Sequence, residues 1–248
     1  MSREQPLAGR VAFVTGASRG IGAAVAVELG RLGAHVVAAA RTQGGLEETD
    51  DAIRAAGGEA ATLLPLDLTQ GSEVDAVGPS LWQRFGRLDA FVHCAGMLGR
   101  LTPLAHLDPK VWDATLALDL TASWRLIRTL EPPLRAAAAG RAVVLASARP
   151  PLAYWGLYGT MQAALVHLVQ TWADEVARSP LAVNLCDPGV VATRLRSQAM
   201  PAADFAAMRR PEDVAPAIAA LCLPSETRRG ALVRLAAATA EPVANTAP

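Results

Sequence analysis

The chain has 248 residues, a length typical of one α/β domain, and its 23 basic and 23 acidic side chains leave no formal net charge. This balance argues against nucleic-acid binding, because a nucleic-acid-binding domain carries a basic excess. No apolar run reaches the roughly 18–20 residues of a membrane span, and the first residues lack the apolar core of a signal peptide. Cys94, Cys186 and Cys222 form no CxxC pair, which favours reduced thiols and no metal site. We therefore expect a cytoplasmic protein with no nucleic-acid or membrane partner.

Short apolar runs alternate with helical patterns along the chain. We predict strands over 10–14, 35–40, 60–66, 88–93, 141–146, 181–186 and 231–235. Helices are predicted over 21–32, 46–56, 73–85, 109 to about 130, and 155–178, with a last helix after 210. Pro132 and Pro133 are expected to end the fourth helix. This alternation predicts an α/β fold, a Rossmann-type doubly wound parallel sheet of about seven strands with helices on both faces.

The pattern shows no linker or second domain, so we expect one domain over 1–248 with its core at about 7–235. Weak patterning over 236–248 predicts a frayed tail. Residues 200–210 lie between the sixth strand and the last helix and are poorly patterned. Two interpretations of this segment stay open, a lid over a substrate and a packed surface loop.

A glycine-rich turn joins the first strand to the first helix, in the sequence Thr15-Gly16-Ala17-Ser18-Arg19-Gly20-Ile21-Gly22. Glycines allow a tight turn and a close approach to a ligand, and the helix N-terminus supplies free N–H groups and a positive dipole end. The strand before the turn and the helix after it are the context that a phosphate-binding motif needs. The turn is therefore predicted to hold a pyrophosphate, the alternative being an ordinary tight turn.

The spacing TGxxxGxG resembles the short-chain dehydrogenase/reductase family, and the resemblance covers nearly the whole chain, from residue 7 to about 235. It implies a nicotinamide cofactor lying across the carboxyl ends of the strands. Family members are usually dimers or tetramers built through their two long central helices. We therefore expect a homodimer or homotetramer acting on a small-molecule carbonyl or alcohol substrate.

The resemblance assigns the cofactor contacts to residues that follow the strands, and to the first turns of two helices. These are Gly16, Ser18, Arg19, Gly20, Ile21, Gly22, Arg41, Asp67, Leu68, Cys94, Ala95, Gly96, Tyr158, Gln162, Pro188, Gly189, Val191 and Thr193. Cys94 stands where the family has an asparagine that ties neighbouring strands together. We interpret it as a small buried apolar side chain rather than a redox group.

The second strand indicates which nicotinamide cofactor is used. NAD-binding members place a carboxylate after this strand to hold the ribose 2′-OH, but this chain has Ala40 followed by Arg41. A guanidinium pairs well with a 2′-phosphate, and Arg19 resembles the family's second basic residue for that phosphate. Either arginine alone is typical of a solvated surface charge. Together they predict that NADP(H) is preferred over NAD(H).

The resemblance places the catalytic residues at Asp119, Ser147, Tyr158 and Gln162, where the family has Asn, Ser, Tyr and Lys. The family tyrosine exchanges a proton with the substrate oxygen, and the lysine holds the ribose and favours the phenolate. With Gln in place of Lys and Asp in place of Asn, Tyr158 should stay protonated, while Gln162 can still hydrogen-bond the ribose. The spacing from Ser147 to Tyr158 is shorter than in the family, which can displace the serine.

The chain's only lysine, Lys110, lies near the start of the preceding long helix and cannot replace the missing cation. Arg149 and His93 can supply part of the field, although a structural role is more typical of each. Two hypotheses follow. The first is an NADPH-dependent carbonyl reductase with Tyr158 as the acid. The second is a catalytically impaired NADP(H)-binding protein that acts as a sensor or partner subunit. Titration with NADPH and a screen of carbonyl substrates distinguish them.

Overall fold

The computed structural model describes residues 5–147 and 150–235. Seven strands form one sheet in the order β3-β2-β1-β4-β5-β6-β7, and every neighbouring pair is parallel. The strands are β1 (Val11–Thr15), β2 (His35–Ala40), β3 (Thr62–Pro65), β4 (Ala90–His93), β5 (Arg141–Leu145), β6 (Ala182–Asp187) and β7 (Leu232–Arg234). The predicted fold class is confirmed. Predicted positions that lie outside the described residues are Arg149 and the tail 236–248.

Eight α-helices connect the described strands and cover both faces of the sheet. They are α1 (Gly20–Arg31), α2 (Gln43–Ala55), α3 (Gly71–Phe85), α4 (Pro109–Leu116), α5 (Ala122–Ala136), α6 (Gly156–Glu175), α7 (Arg194–Ala199) and α8 (Pro211–Ala220). A π-helical turn, Ala117–Thr121, joins α4 to α5. Successive strand residues serve opposite faces, so that Phe13 packs in one core with α3, α5 and α6, and Val14 packs in the other with α1, α2 and α8.

The fourth predicted helix is longer than expected, and its end at about 130 is wrong. The chain stays helical from Pro109 through the π turn to Ala136, with Pro132 and Pro133 inside α5. Proline has a helical φ angle, but inside a helix it loses a hydrogen bond to the preceding turn and its ring crowds the carbonyl of residue i−4, so other contacts must offset that cost. The last turn of α5 is held by burial of Pro133 and Leu134 and by the hydrogen bond from Leu88 N to Pro133 O. The other predicted boundaries agree within three residues.

Trp124 on α5 is 46% exposed, with the guanidinium carbons of Arg125 and Arg128 5.8 and 5.2 Å from its ring centroid. Assembly through the long helices stays a prediction. Among the described helices, none is long and apolar enough to cross a membrane.

Helices α3 and α5 approach so closely that only glycine fits at position 78. A Cβ added to Gly78 would lie 1.9 Å from Thr129 O, and Thr129 Oγ1 accepts a hydrogen bond of 3.1 Å from Gly78 N. Gly78→Ala should therefore lower the free energy of unfolding by about 1–3 kcal/mol, despite alanine's better helix propensity. Denaturant unfolding at fixed protein concentration measures the change. Gly44→Ala in α2 is the control, since its Cβ meets nothing within 4 Å and should be neutral or stabilising. Equal effects at the two positions would contradict the packing argument.

Candidate active site

A cleft of about 1200 Å³ opens at the carboxyl ends of the strands, where the strand order reverses between β1 and β4. Its lining includes many of the predicted cofactor residues, namely Gly16, Ser18, Arg19, Gly20, Ile21, Gly22, Arg41, Leu68, Cys94, Ala95, Gly96 and Thr193. The glycine turn, the end of β2, the end of β4 and the segment after β6 therefore meet around one space.

The glycine turn has the geometry that a diphosphate needs. Gly16 and Gly20 have φ values of +67° and +58°, which L side chains rarely adopt. A Cβ on Gly22 would lie 2.2 Å from Gly16 O, so the turn must stay bare. The residue that caps α1, Arg19, makes no side-chain hydrogen bond to the helix start, so the first N–H groups have no side-chain cap. The turn and helix start fit an anionic ligand.

The charge in the cleft lining is all positive. Arg19 and Arg41 are exposed and line the cleft, and its described lining contains no Asp or Glu. Asp67 lies beside this region, but its Oδ1 accepts hydrogen bonds from Thr69 N and Thr69 Oγ1, at 2.9 and 2.8 Å. These bonds are the main cause that lowers the pKa of Asp67, with a smaller contribution from Arg41. The neighbouring Leu68, not Asp67, is in the lining.

The segment after β6 divides into residues that line the cleft and residues that shape it. Thr193 lines the cleft, caps α7 by accepting a hydrogen bond from Arg196 N at 3.3 Å, and would touch a Cβ on Gly20 at 3.7 Å. Pro188 O accepts from the Arg209 side chain, and Val191, which is buried, forms an isolated bridge with Arg209. Within the described part of the chain, Pro188, Gly189 and Val191 are not in the cleft lining. They hold the segment in place through Arg209.

Helix α6 presents Tyr158 in its first turn and Gln162 one turn later on the same side. Gln162 is 8% exposed, and its Oε1 accepts a hydrogen bond of 2.8 Å from Ser147 N. Tyr158 is half-buried, with the Trp155 ring at its edge, 6.0 Å between centroids. The structure thus brings Gln162 and Ser147 into contact. Because the amide oxygen is used in that contact, Gln162 has a role that the sequence did not predict.

Asp119 lies in the π turn, buried beneath the loop that follows β4. Its side chain is 2% exposed, and its Oδ1 accepts a hydrogen bond of 2.9 Å from Met97 N. Asp119 Oδ2 has no hydrogen-bond partner among the described residues. Burial raises the pKa of Asp119 to about 7, against the smaller opposing effect of the Met97 hydrogen bond. Burial thus disfavours the anion that an aspartate could add beside Tyr158.

His93 ties β1, β4 and the π turn together through one chain of hydrogen bonds. Ser123 Oγ donates to Asp119 O at 2.9 Å, so the same hydroxyl must accept from His93 Nε2 at 3.0 Å. His93 Nδ1 is then the acceptor for Thr15 Oγ1, at 2.7 Å. Burial lowers the pKa of His93 to about 4, so the ring is neutral. His93 therefore has the structural role, and does not add positive charge near Tyr158. Its place in a strand buried along its whole length is the sequence feature that indicated this role.

The three cysteines are free thiols, two of them buried and Cys94 half-buried at the cleft. Burial raises the pKa of Cys94, and raises those of Cys186 and Cys222 to about 12. A thiol that holds its proton is a poor nucleophile and metal ligand. Among the described residues, no cluster of potential metal ligands is found.

Comparison with known proteins places this architecture in a family. Residues 10–204 match the family model described as short chain dehydrogenase. The chain belongs to the short-chain dehydrogenase/reductase family. It is 32% identical over 211 residues to the uncharacterized oxidoreductase YciK of Escherichia coli K12, covering 84% of this chain and 83% of YciK. It is 33% identical over 189 residues to 3-oxoacyl-[acyl-carrier-protein] reductase FabG of Pseudomonas aeruginosa, covering 75% and 76%.

A solved short chain dehydrogenase from Escherichia coli CFT073, complexed with NADPH, has the same fold with a TM-score of 0.88. It is 30% identical, and the match covers 93% of this chain and 98% of that one. As a member of this family, the protein is an NAD(P)-dependent oxidoreductase with a small-molecule substrate.

The raised pKa of Asp119 predicts a pH-dependent stability. The pKa of Asp119 in the folded protein, about 7, lies above the usual 3.8. Its contribution to the free energy of unfolding is therefore fully present below pH 3.8 and is lost as the pH rises through 7. Asp119→Asn should therefore gain stability relative to the unmutated protein between pH 5 and 8, by at most about 4 kcal/mol at 1.36 kcal/mol per pKa unit. Denaturant unfolding across this range measures it. Asp113→Asn, at an exposed position of α4, is the control. A difference independent of pH would rule out the buried carboxyl as its source.

Proposed function

We propose that the protein is an NADP(H)-dependent carbonyl reductase. The observation that carries the proposal is the pair of guanidiniums, Arg19 and Arg41, in a cleft whose described lining has no carboxylate. A carboxylate after β2 would favour NAD, whereas two guanidiniums favour a 2′-phosphate. The solved relative complexed with NADPH supports the same preference. When bound, the reduced cofactor supplies a hydride for the substrate carbon.

The residues of this chain supply the proton and the orientation. We assign Tyr158 as the acid that donates to the carbonyl oxygen, and Ser147 as a second hydrogen-bond donor to that oxygen. Gln162 fixes the main chain of Ser147 through its Oε1, 2.8 Å from Ser147 N. Without a lysine at position 162, no cation there favours the phenolate, which suits an acid better than a base. Reduction is therefore the favoured direction. The relative FabG, a reductase by name, acts in this direction on a 3-oxoacyl substrate.

The cofactor preference has a direct test. NADPH should bind more tightly than NADH, and Arg41→Asp should narrow or reverse the difference, because each charge-assisted hydrogen bond to the phosphate contributes about 1.5–3 kcal/mol. Fluorescence titration gives both dissociation constants. Arg178→Asp, at an exposed position after α6, repeats the charge change away from the cleft. Equal affinities for NADPH and NADH in the unmutated protein would contradict the proposed preference.

Turnover is tested by following NADPH oxidation with a panel of aldehydes and ketones. Tyr158→Phe should abolish the reaction while NADPH binding is kept. Binding of NADPH without reduction of any compound favours the second hypothesis, a cofactor-binding protein with little catalysis.

Gln162→Lys tests the electrostatic argument. The new cation should raise alcohol oxidation relative to carbonyl reduction, by part of the ~10²–10⁴-fold that general acid–base catalysis contributes. It also removes the acceptor for Ser147 N, so Gln162→Met, which loses the acceptor without adding charge, separates the two effects and should lower both directions alike. Gln170→Lys places the same charge at an exposed position of α6. Initial rates in both directions give the ratio. An oxidation-to-reduction ratio that is the same in Gln162→Lys and Gln162→Met contradicts the role assigned to the charge.

A further inference from the structure

We infer that the carbonyl substrate carries an oxyanion group, a carboxylate or a phosphate, which binds at the two arginines of the cleft lining other than Arg19 and Arg41, namely Arg100 and Arg194. This inference rests on the proposed function and adds the chemical class of the substrate. The inference is based on the arginines of the cleft lining that are not assigned to the 2′-phosphate of the cofactor.

The cleft concentrates positive charge in a chain whose formal net charge is zero. Its lining holds Arg19, Arg41, Arg100 and Arg194, and no Asp or Glu among the described residues. Arg19 and Arg41 lie at the glycine turn and after β2, where the 2′-phosphate is proposed to bind. Arg100 and Arg194 come instead from the loop after β4 and from the start of α7. Both are exposed, and neither makes an ion pair within the part of the chain that the structure describes.

The loop that carries Arg100 packs on the helix that carries the proposed acid. A Cβ on Gly99 would lie 2.6 Å from Leu157 Cδ2, one residue before Tyr158. Two residues beyond Arg100, Thr102 N donates to Tyr154 O at 3.1 Å, just before α6 begins. Arg100 therefore lies in the cleft lining beside the start of α6, the helix that carries Tyr158, and on the other side of β1 from Arg41. A charge beside this helix is placed for the substrate.

Apolar side chains line the cleft as well, so the substrate is expected to have an apolar body besides its charge. Met97, Leu101, Leu195 and Phe205 line the cleft. Phe205 belongs to the segment 200–210, which the sequence left open as a lid or a surface loop. An arginine next to an apolar wall fits an amphipathic anion, whose carboxylate or phosphate can pair with the planar guanidinium.

The experiment compares pairs of aldehydes that differ in charge. Reduction of 4-formylbenzoate is compared with that of 4-formylbenzamide, and 4-formylphenyl phosphate with 4-methoxybenzaldehyde, all at saturating NADPH. The charged member of at least one pair should have a kcat/KM about tenfold or more higher, as expected for a single charge-assisted hydrogen bond. The pair that shows the preference identifies the oxyanion.

Arg100→Gln and Arg194→Gln should remove that preference by raising KM for the charged compound, with the neutral compound within about twofold and the NADPH dissociation constant unchanged. Arg178→Gln, exposed and away from the cleft, is the matched control and should keep the preference. Equal kcat/KM for both members of each pair overturns the inference. So does a loss of NADPH affinity in both variants with the preference intact, since the two arginines would then serve the cofactor.

If the proposed function is wrong, the protein reduces none of these compounds, and this result differs from equal kcat/KM within each pair. In that event calorimetric titration of 4-formylbenzoate and 4-formylphenyl phosphate into the NADPH-saturated protein decides the inference. Binding that is weakened at least tenfold in Arg100→Gln supports it. No binding, or binding equal to that of the neutral compounds, overturns it.

Discussion

The cleft depends on two backbone segments that lie closer together than any side chain allows. A Cβ on Gly16 would lie 2.8 Å from Ala95 N, and one on Gly22 would lie 2.2 Å from Gly16 O. The turn after β1 therefore packs directly on the chain leaving β4. This contact directs the start of α1 toward the space between the strand ends, and it requires that position 16 has no side chain. Charge and catalytic groups are arranged around that bare surface.

The family's tie between these strands is kept here by different residues. Where the resemblance leads one to expect an asparagine, position 94 has a cysteine, whose side chain is too short to bridge neighbouring strands. The main chain makes the contact instead, since Cys94 N donates a hydrogen bond to Thr15 Oγ1 at 3.3 Å. That hydroxyl is in turn oriented by His93, whose other ring nitrogen is bound to Ser123. In this chain the tie between the strands is made by Thr15 Oγ1 and the buried, neutral His93 ring. It now reaches the π turn, so the position of Asp119 depends on the strands that form the cofactor cleft.

The sequence predicts what is set by local pattern, and misses what is set by packing. Alternating apolar runs gave all seven strands, and the glycine turn gave the cleft, because both depend on neighbouring residues. The end of α5 was missed because burial of Leu134 outweighs the cost of two prolines. The contact of Gln162 with Ser147 was missed because it joins residues fifteen apart through one side-chain conformation. No motif records such a contact, since the family's lysine cannot accept a hydrogen bond.

In the catalytic set that we propose, the residues at positions 162 and 119 both bear on the charge around Tyr158. A lysine at position 162 would favour an ionised carboxyl nearby, whereas Gln162 offers none of that support, and burial raises the pKa of Asp119 to about 7. The π turn that holds Asp119 packs on α6, which carries Gln162 and Tyr158. In the catalytic set as proposed, position 162 thus carries no cation, and Asp119 does not carry a full negative charge at neutral pH. An acid needs only its proton, so a site with this balance can still donate to a carbonyl oxygen. The remaining charge of the cleft lies on its arginines, where it can select the ligands instead of activating Tyr158.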